Sequence, residues 1–180
     1  MIRKLTFQRK QTLKAYLNNW PMIDEHVFVS ESSIIIGKVE INRHSSIWYN
    51  VVLRGDVAAI KIGESTNIQD GTVIHVDTEY GDTIIGDNVT VGHMCLLHAC
   101  TIQDCAFIGM GSIIMDRSTI ESNSMVAAGS LVVRNKVVKS GELWAGRPAK
   151  FIRNLTNEEI DGIRDSSSNY VKLSKDYMAI

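Results

Sequence analysis

Two prolines and three cysteines are all that 180 residues contain of either type. So little proline, with 13 glycines, argues against a linker-rich or disordered chain. No apolar run approaches the length of a membrane span, and no apolar leader core stands at the start, which predicts a protein that neither crosses nor anchors in a membrane. Charge of one sign is also missing: 19 Lys and Arg stand against 20 Asp and Glu, so the total gives no reason to expect a nucleic acid partner. Cys95, Cys100 and Cys105 form an odd set without a C-x-x-C pair. That reads as reduced thiols in a cytoplasmic protein, small core residues rather than ligands.

What is present is a period. From Ile102 an aliphatic residue recurs every six positions, at Ile108, Ile114, Ile120, Val126 and Val132. The step recurs upstream in Ile41, Ile47, Leu53, then Ile62, Ile68, Ile74, then Ile85, Val91, Leu97. Glycine often follows the aliphatic residue, and a small residue such as Thr66, Thr72, Cys95, Ala106 or Ser112 often stands four after it. Six is neither the helical 3.6 nor a sustained alternation of two. It fits short extended segments with one inward side chain each, joined by corners and stacked as a solenoid. Four breaks interrupt it: steps of five from Ile36 to Ile41 and from Leu97 to Ile102, and insertions between Leu53 and Ile62 and between Ile74 and Ile85. The second insertion, "VDTEYGD", reads as a loop leaving the coil.

The pattern divides the chain into a basic segment 1–20, a solenoid 21–150 and a helical tail 151–180. The first segment holds five basic residues and no acidic one, with Leu13, Tyr16, Leu17 and Trp20 on one helical face. An amphipathic cap or an organelle transit peptide would both account for it. In the tail, Thr156 with Glu159 makes a capping box, and Ile160, Ile163, Tyr170 and Tyr177 form a stripe weakened by Ser166, Ser167 and Ser168.

The period also sorts the polar residues. Arg54, His75 and His98 each follow a hexad aliphatic residue by one. The period resembles that of the hexapeptide-repeat proteins, in which three hexads make one coil, and that resemblance implies that the three stack on one ridge. Asp70 and His93 each follow by two and stack on the preceding face, so His93 is not expected to reach the other histidines within its own chain. A neighbouring copy could supply it. Three imidazoles converging between subunits suit a divalent metal with one position left for water, which predicts a trimer.

The motifs "LRGD" (Leu53–Asp56), "NIQDGTVIH" (Asn67–His75), "VGHMCLLH" (Val91–His98) and "AGRPAK" (Ala145–Lys150) closely resemble the γ-class carbonic anhydrases and their shorter relatives. The resemblance implies an all-β solenoid, a left-handed parallel β-helix of hexapeptide repeats with a C-terminal α-helix. It also implies reversible hydration of CO2 to bicarbonate, using hydroxide from metal-bound water at the subunit interfaces of a homotrimer. By position it places the metal ligands on His75, His93 and His98, with His93 contributed by the neighbouring subunit. The metal would be zinc, with iron or cobalt as alternatives. Gln69 would sit beside the bound water, followed by Asp70; Arg54 and Asp56 would form the site's ion pair; Tyr170 would approach from the tail helix. Two features depart from the family's archetype. The loop after His75 is short, leaving Asp77 and Glu79 as the candidates for proton export, and Val57 stands where the archetype has an acidic residue. Two other readings remain open: an acyltransferase using acetyl-CoA on the same solenoid, and a non-catalytic metal-binding scaffold.

Overall fold

In a computed structural model, which describes residues 12–179, the aliphatic residues of the six-residue period form three stacked inward columns. Val29, Ile47, Ile68, Val91, Ile108, Val126 and Trp144 form one column by parallel pairing. Ile35, Leu53, Ile74, Leu97, Ile114 and Val132 form the second. Ile23, Ile41, Ile62, Ile85, Ile102, Ile120 and Val138 form the third. From Ile35 to Val138 these residues are at most 2% exposed. The result is a left-handed parallel β-helix of about 7 turns with one C-terminal helix. Corners carry residues in the left-handed backbone region, among them Asn50, Asn88, Asn123 and Asn135, a conformation asparagine tolerates better than most side chains.

Two of the expected register breaks take a different form. The inward residue of the early coil is Ile35, not Ile36, so the run Val29, Ile35, Ile41, Ile47, Leu53 keeps steps of six without interruption. Three consecutive isoleucines followed by Gly37 hide this in the sequence, because any of them satisfies the period. The insertion before Ile62 is no loop: Val52–Ile62 is one continuous strand that turns the corner, with a register irregularity against its partner Ile34–Ile41. These two long strands fuse two of the three faces into one 12-stranded sheet, leaving the third face as an 8-stranded sheet. The short step from Leu97 to Ile102 and the loop after His75 stand as expected.

Leu13, Tyr16, Leu17 and Trp20 do not share a helical face. Leu13–Lys14 is a strand paired with Ile35 and Ile36, and Tyr16 bridges Asn19 across a turn. Edge pairing with the solenoid overrides the amphipathic pattern there. Residues 1–11, which complete that basic segment, lie outside the described residues.

The segment around "WAGRPAK" closes the solenoid as an antiparallel hairpin of Glu142–Gly146 and Ala149–Asn154. The terminal helix, Asn157–Ala179, then runs back along the 8-stranded face. Its capping box is formed: Glu159 N–H donates to Thr156 Oγ1 at 3.3 Å, and Thr156 N–H to Glu159 Oε2 at 2.9 Å. The serines are not a weak point. Ile163, Ser167 and Ser174 are the helix's buried residues, and the small side chains let it lie close to the sheet. Their hydroxyls are satisfied by the helix itself, Ser167 donating to Arg164 O and Ser174 to Val171 O, each at 3.0 Å. The far end is anchored by a cluster of Phe28, Trp48, Tyr170 and Tyr177, with ring centroids 5.0–5.6 Å apart. Among the described residues no helix is long and apolar enough to cross a membrane.

The glycine after the hexad aliphatic residue has a local cause. At Gly109 a side-chain Cβ would meet Ala128 N at 2.4 Å in the next coil. Gly109→Ala therefore forces two coils apart and is expected to lower stability by about 1–3 kcal/mol. Urea denaturation would show this as a fall in midpoint, with Gly129→Ala, whose added Cβ would meet nothing within 4 Å, as the comparison for backbone strain alone.

Candidate metal centre

Parallel register sets Arg54, His75 and His98 side by side in successive coils, as the period predicts. His75 Nδ1 lies 3.1 Å from His98 Nε2. Behind each ring stands a carboxylate. His75 Nε2 meets Asp56 Oδ1 at 3.0 Å, and His98 Nδ1 meets Asp116 Oδ1 at 2.5 Å. A carboxylate only accepts hydrogen bonds, so each neutral imidazole spends its N–H there. The nitrogens that remain, His75 Nδ1 and His98 Nε2, then carry lone pairs pointed at one another. Two lone pairs 3.1 Å apart repel unless a proton or cation lies between them. Two nitrogens on a tetrahedral zinc, each about 2.0–2.1 Å from it, stand about 3.3 Å apart, close to this separation. The donor set fits a divalent metal, including the outer carboxylates that metal-binding histidines commonly have.

His93 is on the neighbouring face of the same chain, paired with Asp70 through Nδ1 at 2.8 Å. It repeats the arrangement of the other two histidines, an imidazole with one nitrogen on a carboxylate and the other free to bind. The site residues thus fall into two groups within one chain: Arg54, Asp56, His75 and His98 on one ridge, Asp70 and His93 on the next.

Arg54 pairs with Asp56, not with Asp70. Burial pushes the Asp56 carboxyl up, but hydrogen bonds from His75, the Val57 amide and Arg54 outweigh it and bring it down to about 2. Gln69 is nearly buried and donates from Nε2 to Asn67 Oδ1 at 3.0 Å. Asn67 in turn donates to Thr90 Oγ1 at 2.9 Å, and that hydroxyl is 3.1 Å from Ser166 Oγ on the terminal helix. Gln69 is therefore oriented by a polar chain that begins on the helix. With one N–H of Nε2 given to Asn67, the amide keeps its carbonyl oxygen as an acceptor and one further N–H as a donor. Tyr170 stacks edge-on against Trp48 at 5.4 Å, and burial, with a smaller contribution from the charge of Asp70, raises its hydroxyl pKa.

The loop after His75 is a tight turn. Asp77 Oδ1 accepts the amides of Glu79 at 2.8 Å and Tyr80 at 3.0 Å, and Asp77 and Gly81 close the bridge. Those two amides hold the Asp77 carboxyl below the usual carboxylate range. Asp77, His98 and Asp116 also bring ligand atoms within 4.8 Å of one another. Asp116, however, is already committed on both oxygens, to His98 and to Arg134, so this grouping supports His98 rather than forming a separate site. Cys95 and Cys100 are buried free thiols, pushed up by burial to about 11 and about 12, which makes them core residues.

Asp116, Arg134 and Tyr80 are the neighbours of the site that the motifs do not reveal, and Asn67, though it opens one motif, was given no role. Asp116 and Arg134 were legible in principle, because they stand two after Ile114 and Val132, one full coil apart.

The fold is that of a hexapeptide-repeat protein, and its paired histidines have the donor set a divalent metal would use. The chain belongs to the γ-carbonic anhydrase family. It is 49% identical over 172 residues to the mitochondrial γ carbonic anhydrase 2 of Arabidopsis thaliana, covering 93% of this chain and 62% of that one. It thus spans about three fifths of that plant relative's length. A protein of Methanocaldococcus jannaschii named probable carbonic anhydrase is 42% identical, across 86% of this chain and 96% of its own. A crystal structure of a hexapeptide transferase family protein from Anaplasma phagocytophilum superimposes with a TM-score of 0.90 at 54% identity, covering 93% of this chain and 99% of that one. No family model matches the chain.

Since the folded Asp56 pKa is depressed, its ion pairs stabilise the protein above pH 4, the unfolded carboxylate range, and are lost as pH falls towards about 2. Wild type should therefore lose stability relative to Asp56→Asn between pH 4 and pH 2. Thermal midpoints of both proteins across that range test this; a difference independent of pH would show that the Asp56 charge does not matter to the fold.

Proposed function

We propose that this protein is a metal-dependent carbonic anhydrase that interconverts CO2 and bicarbonate at sites shared between the subunits of a homotrimer. The observation that carries this reading is the placing of His75 Nδ1 and His98 Nε2 3.1 Å apart, with a carboxylate on the other nitrogen of each ring. His75 and His98 of one subunit and His93 of its neighbour would hold the metal. Zinc suits three imidazoles, and iron or cobalt would be accepted by the same set. When bound, the metal supplies a Lewis acid that lets a coordinated water ionise near neutral pH.

The chain's own residues do the remaining work. Asp56, Asp116 and Asp70 keep a proton on the outer nitrogen of each histidine, so that the inner nitrogen is presented as a donor. Gln69 offers its carbonyl oxygen to the O–H of water or bicarbonate. Arg54 puts a positive charge on the same ridge, available to bicarbonate or to a carboxylate of the neighbouring subunit. Outward on the strands that carry Arg54, His75 and His98 runs a ladder of Val52, Val73, Leu96, Ile113 and Leu131. This apolar ladder supports subunit packing at the ridge, since such a surface flanking a half-complete site is suited to another copy.

The solved relative's transferase name favours a second reading, acyl transfer from acetyl-CoA with one histidine as base. One base would not require three histidines each backed by a carboxylate. Anaerobic purification, elemental analysis and stopped-flow CO2 hydration separate the readings. About one metal per chain and hydration abolished by chelator are expected, with metal lost in His98→Ala while the trimer persists. Acetyl transfer that survives chelation would favour the transferase. Bound metal without hydration would leave a scaffold.

Hydration releases one proton per turnover, and that proton must reach solvent. Asp77, with its carboxyl held below the usual range, is a poor acceptor near neutral pH. Hydration is therefore expected to accelerate severalfold as imidazole buffer is raised from about 1 to 50 mM, an exogenous acceptor doing what the short loop does not. A rate indifferent to buffer would place an efficient export path elsewhere in the chain.

A further inference from the structure

Asp116 is almost completely buried yet bears three hydrogen bonds from two different coils. Its Oδ1 faces His98 Nδ1 at 2.5 Å, while its Oδ2 accepts from Arg134 twice, from Nε at 3.2 Å and Nη2 at 3.0 Å. The two oxygens are thus divided between two partners, and the carboxylate cannot turn without breaking one of them. Arg134 is itself held. Its guanidinium lies 5.0 Å from the centroid of the Tyr80 ring, and that of Arg117 lies 4.3 Å from the same centroid. Tyr80 belongs to the short loop after His75, and its amide is bonded to Asp77 Oδ1. A continuous line of contacts therefore runs from the loop, through Tyr80, Arg134 and Asp116, to one ring nitrogen of His98.

We propose that Arg134 and Tyr80 are positioning residues for His98: the Tyr80 ring holds the Arg134 guanidinium, and Arg134 occupies Asp116 Oδ2 so that Oδ1 fixes the proton on His98 Nδ1 and leaves Nε2 as the donor nitrogen. This rests on the metal-centre reading, but its geometry stands in the metal-free chain. Arg134 suits the role because its planar fork delivers two parallel donors to a single oxygen, which a lysine cannot. The tyrosine face suits it because a guanidinium over an aromatic ring is attracted while keeping its N–H groups in plane for the carboxylate. The short loop thus has a task beside any part in proton export: it stiffens one metal ligand from behind.

Two measurements test this. Ring-nitrogen NMR of the metal-free protein at pH 8 reads the His98 tautomer directly, and competition against a chelator reads zinc affinity. Wild type should show His98 as a single Nδ1–H tautomer. Arg134→Met should give a mixture and bind zinc about tenfold or more weakly, the size usual for losing an outer partner of a metal-binding histidine. Tyr80→Ala should move both readouts in the same direction, and Tyr80→Phe should match wild type, since the ring face and not the hydroxyl makes the contact. If Arg134→Met does not fold, Arg134→Lys takes its place, with mixed tautomers again expected. A single unchanged tautomer with unchanged affinity in the Arg134 variant overturns the proposal, as does Tyr80→Phe behaving like Tyr80→Ala. Should wild type bind no zinc, the metal-centre reading fails, and the tautomer alone decides whether Arg134 and Tyr80 position His98.

Discussion

Everything in this molecule depends on parallel strands stacked in register. Neighbouring coils lie about 4.8 Å apart, and a residue's partner in the next coil is set by the hydrogen-bonded ladder rather than by local preference. The inward isoleucines make that register costly to change, because a slip of one residue would turn the aliphatic columns outward. Arg54, His75 and His98 inherit their alignment from Leu53, Ile74 and Leu97, which are buried immediately before them. The core thus fixes the site more firmly than any contact among the site residues.

Stacking brings the histidines together but does not orient them. An imidazole on a ridge can present either nitrogen, and a pair 3.1 Å apart could as readily share a proton as bind a metal. Asp56 and Asp116 remove the first freedom, holding the outer nitrogen of each ring so that His75 Nδ1 and His98 Nε2 face one another, ready for a proton or a cation. Each costs desolvation, and each is offset by an arginine as well as by its histidine, Arg54 for Asp56 and Arg134 for Asp116. Asp70 and His93 on the adjacent face repeat the unit in a more exposed setting, with no arginine paired to Asp70 among the described residues. That difference follows from the placement: the ridge pair is ordered from behind by buried carboxylates that arginines hold, whereas the Asp70–His93 pair lies open on the adjacent face.

The six-residue period is strong enough to read the fold, the shared ridge of Arg54, His75 and His98, and the separation of His93, because an inward position allows few side chains. It reads poorly where several residues satisfy the period together, as with Ile34, Ile35 and Ile36, or where an insertion stays extended, as in Val52–Ile62. The helical face assigned to Leu13, Tyr16, Leu17 and Trp20 fails for a related reason. A short amphipathic stretch next to an open solenoid edge gains more from pairing with Ile35 and Ile36 than from its own helix. Asp116 and Arg134 escape notice because a polar residue at a corner is ordinarily solvent-exposed. Only the fold shows that one of them is buried. Gln69 was legible as a motif, but its orientation was not, since the chain through Asn67 and Thr90 ends on Ser166, nearly a hundred residues away in sequence.

The short loop after His75 shows two demands that pull against each other. A residue that exports protons must change its protonation near neutral pH and move between the site and solvent. Asp77 is instead tied down by two amides that favour its charged form, and Tyr80 lies against two guanidiniums. The amide bonds make the carboxylate harder to protonate, and the guanidiniums pack the tyrosine in place. The same contacts reach His98 through Arg134 and Asp116, where rigidity is an advantage. A loop built this way trades mobility in proton transfer for a fixed His98 ring. Such an arrangement suits the holding of a cation better than the rapid export of a proton.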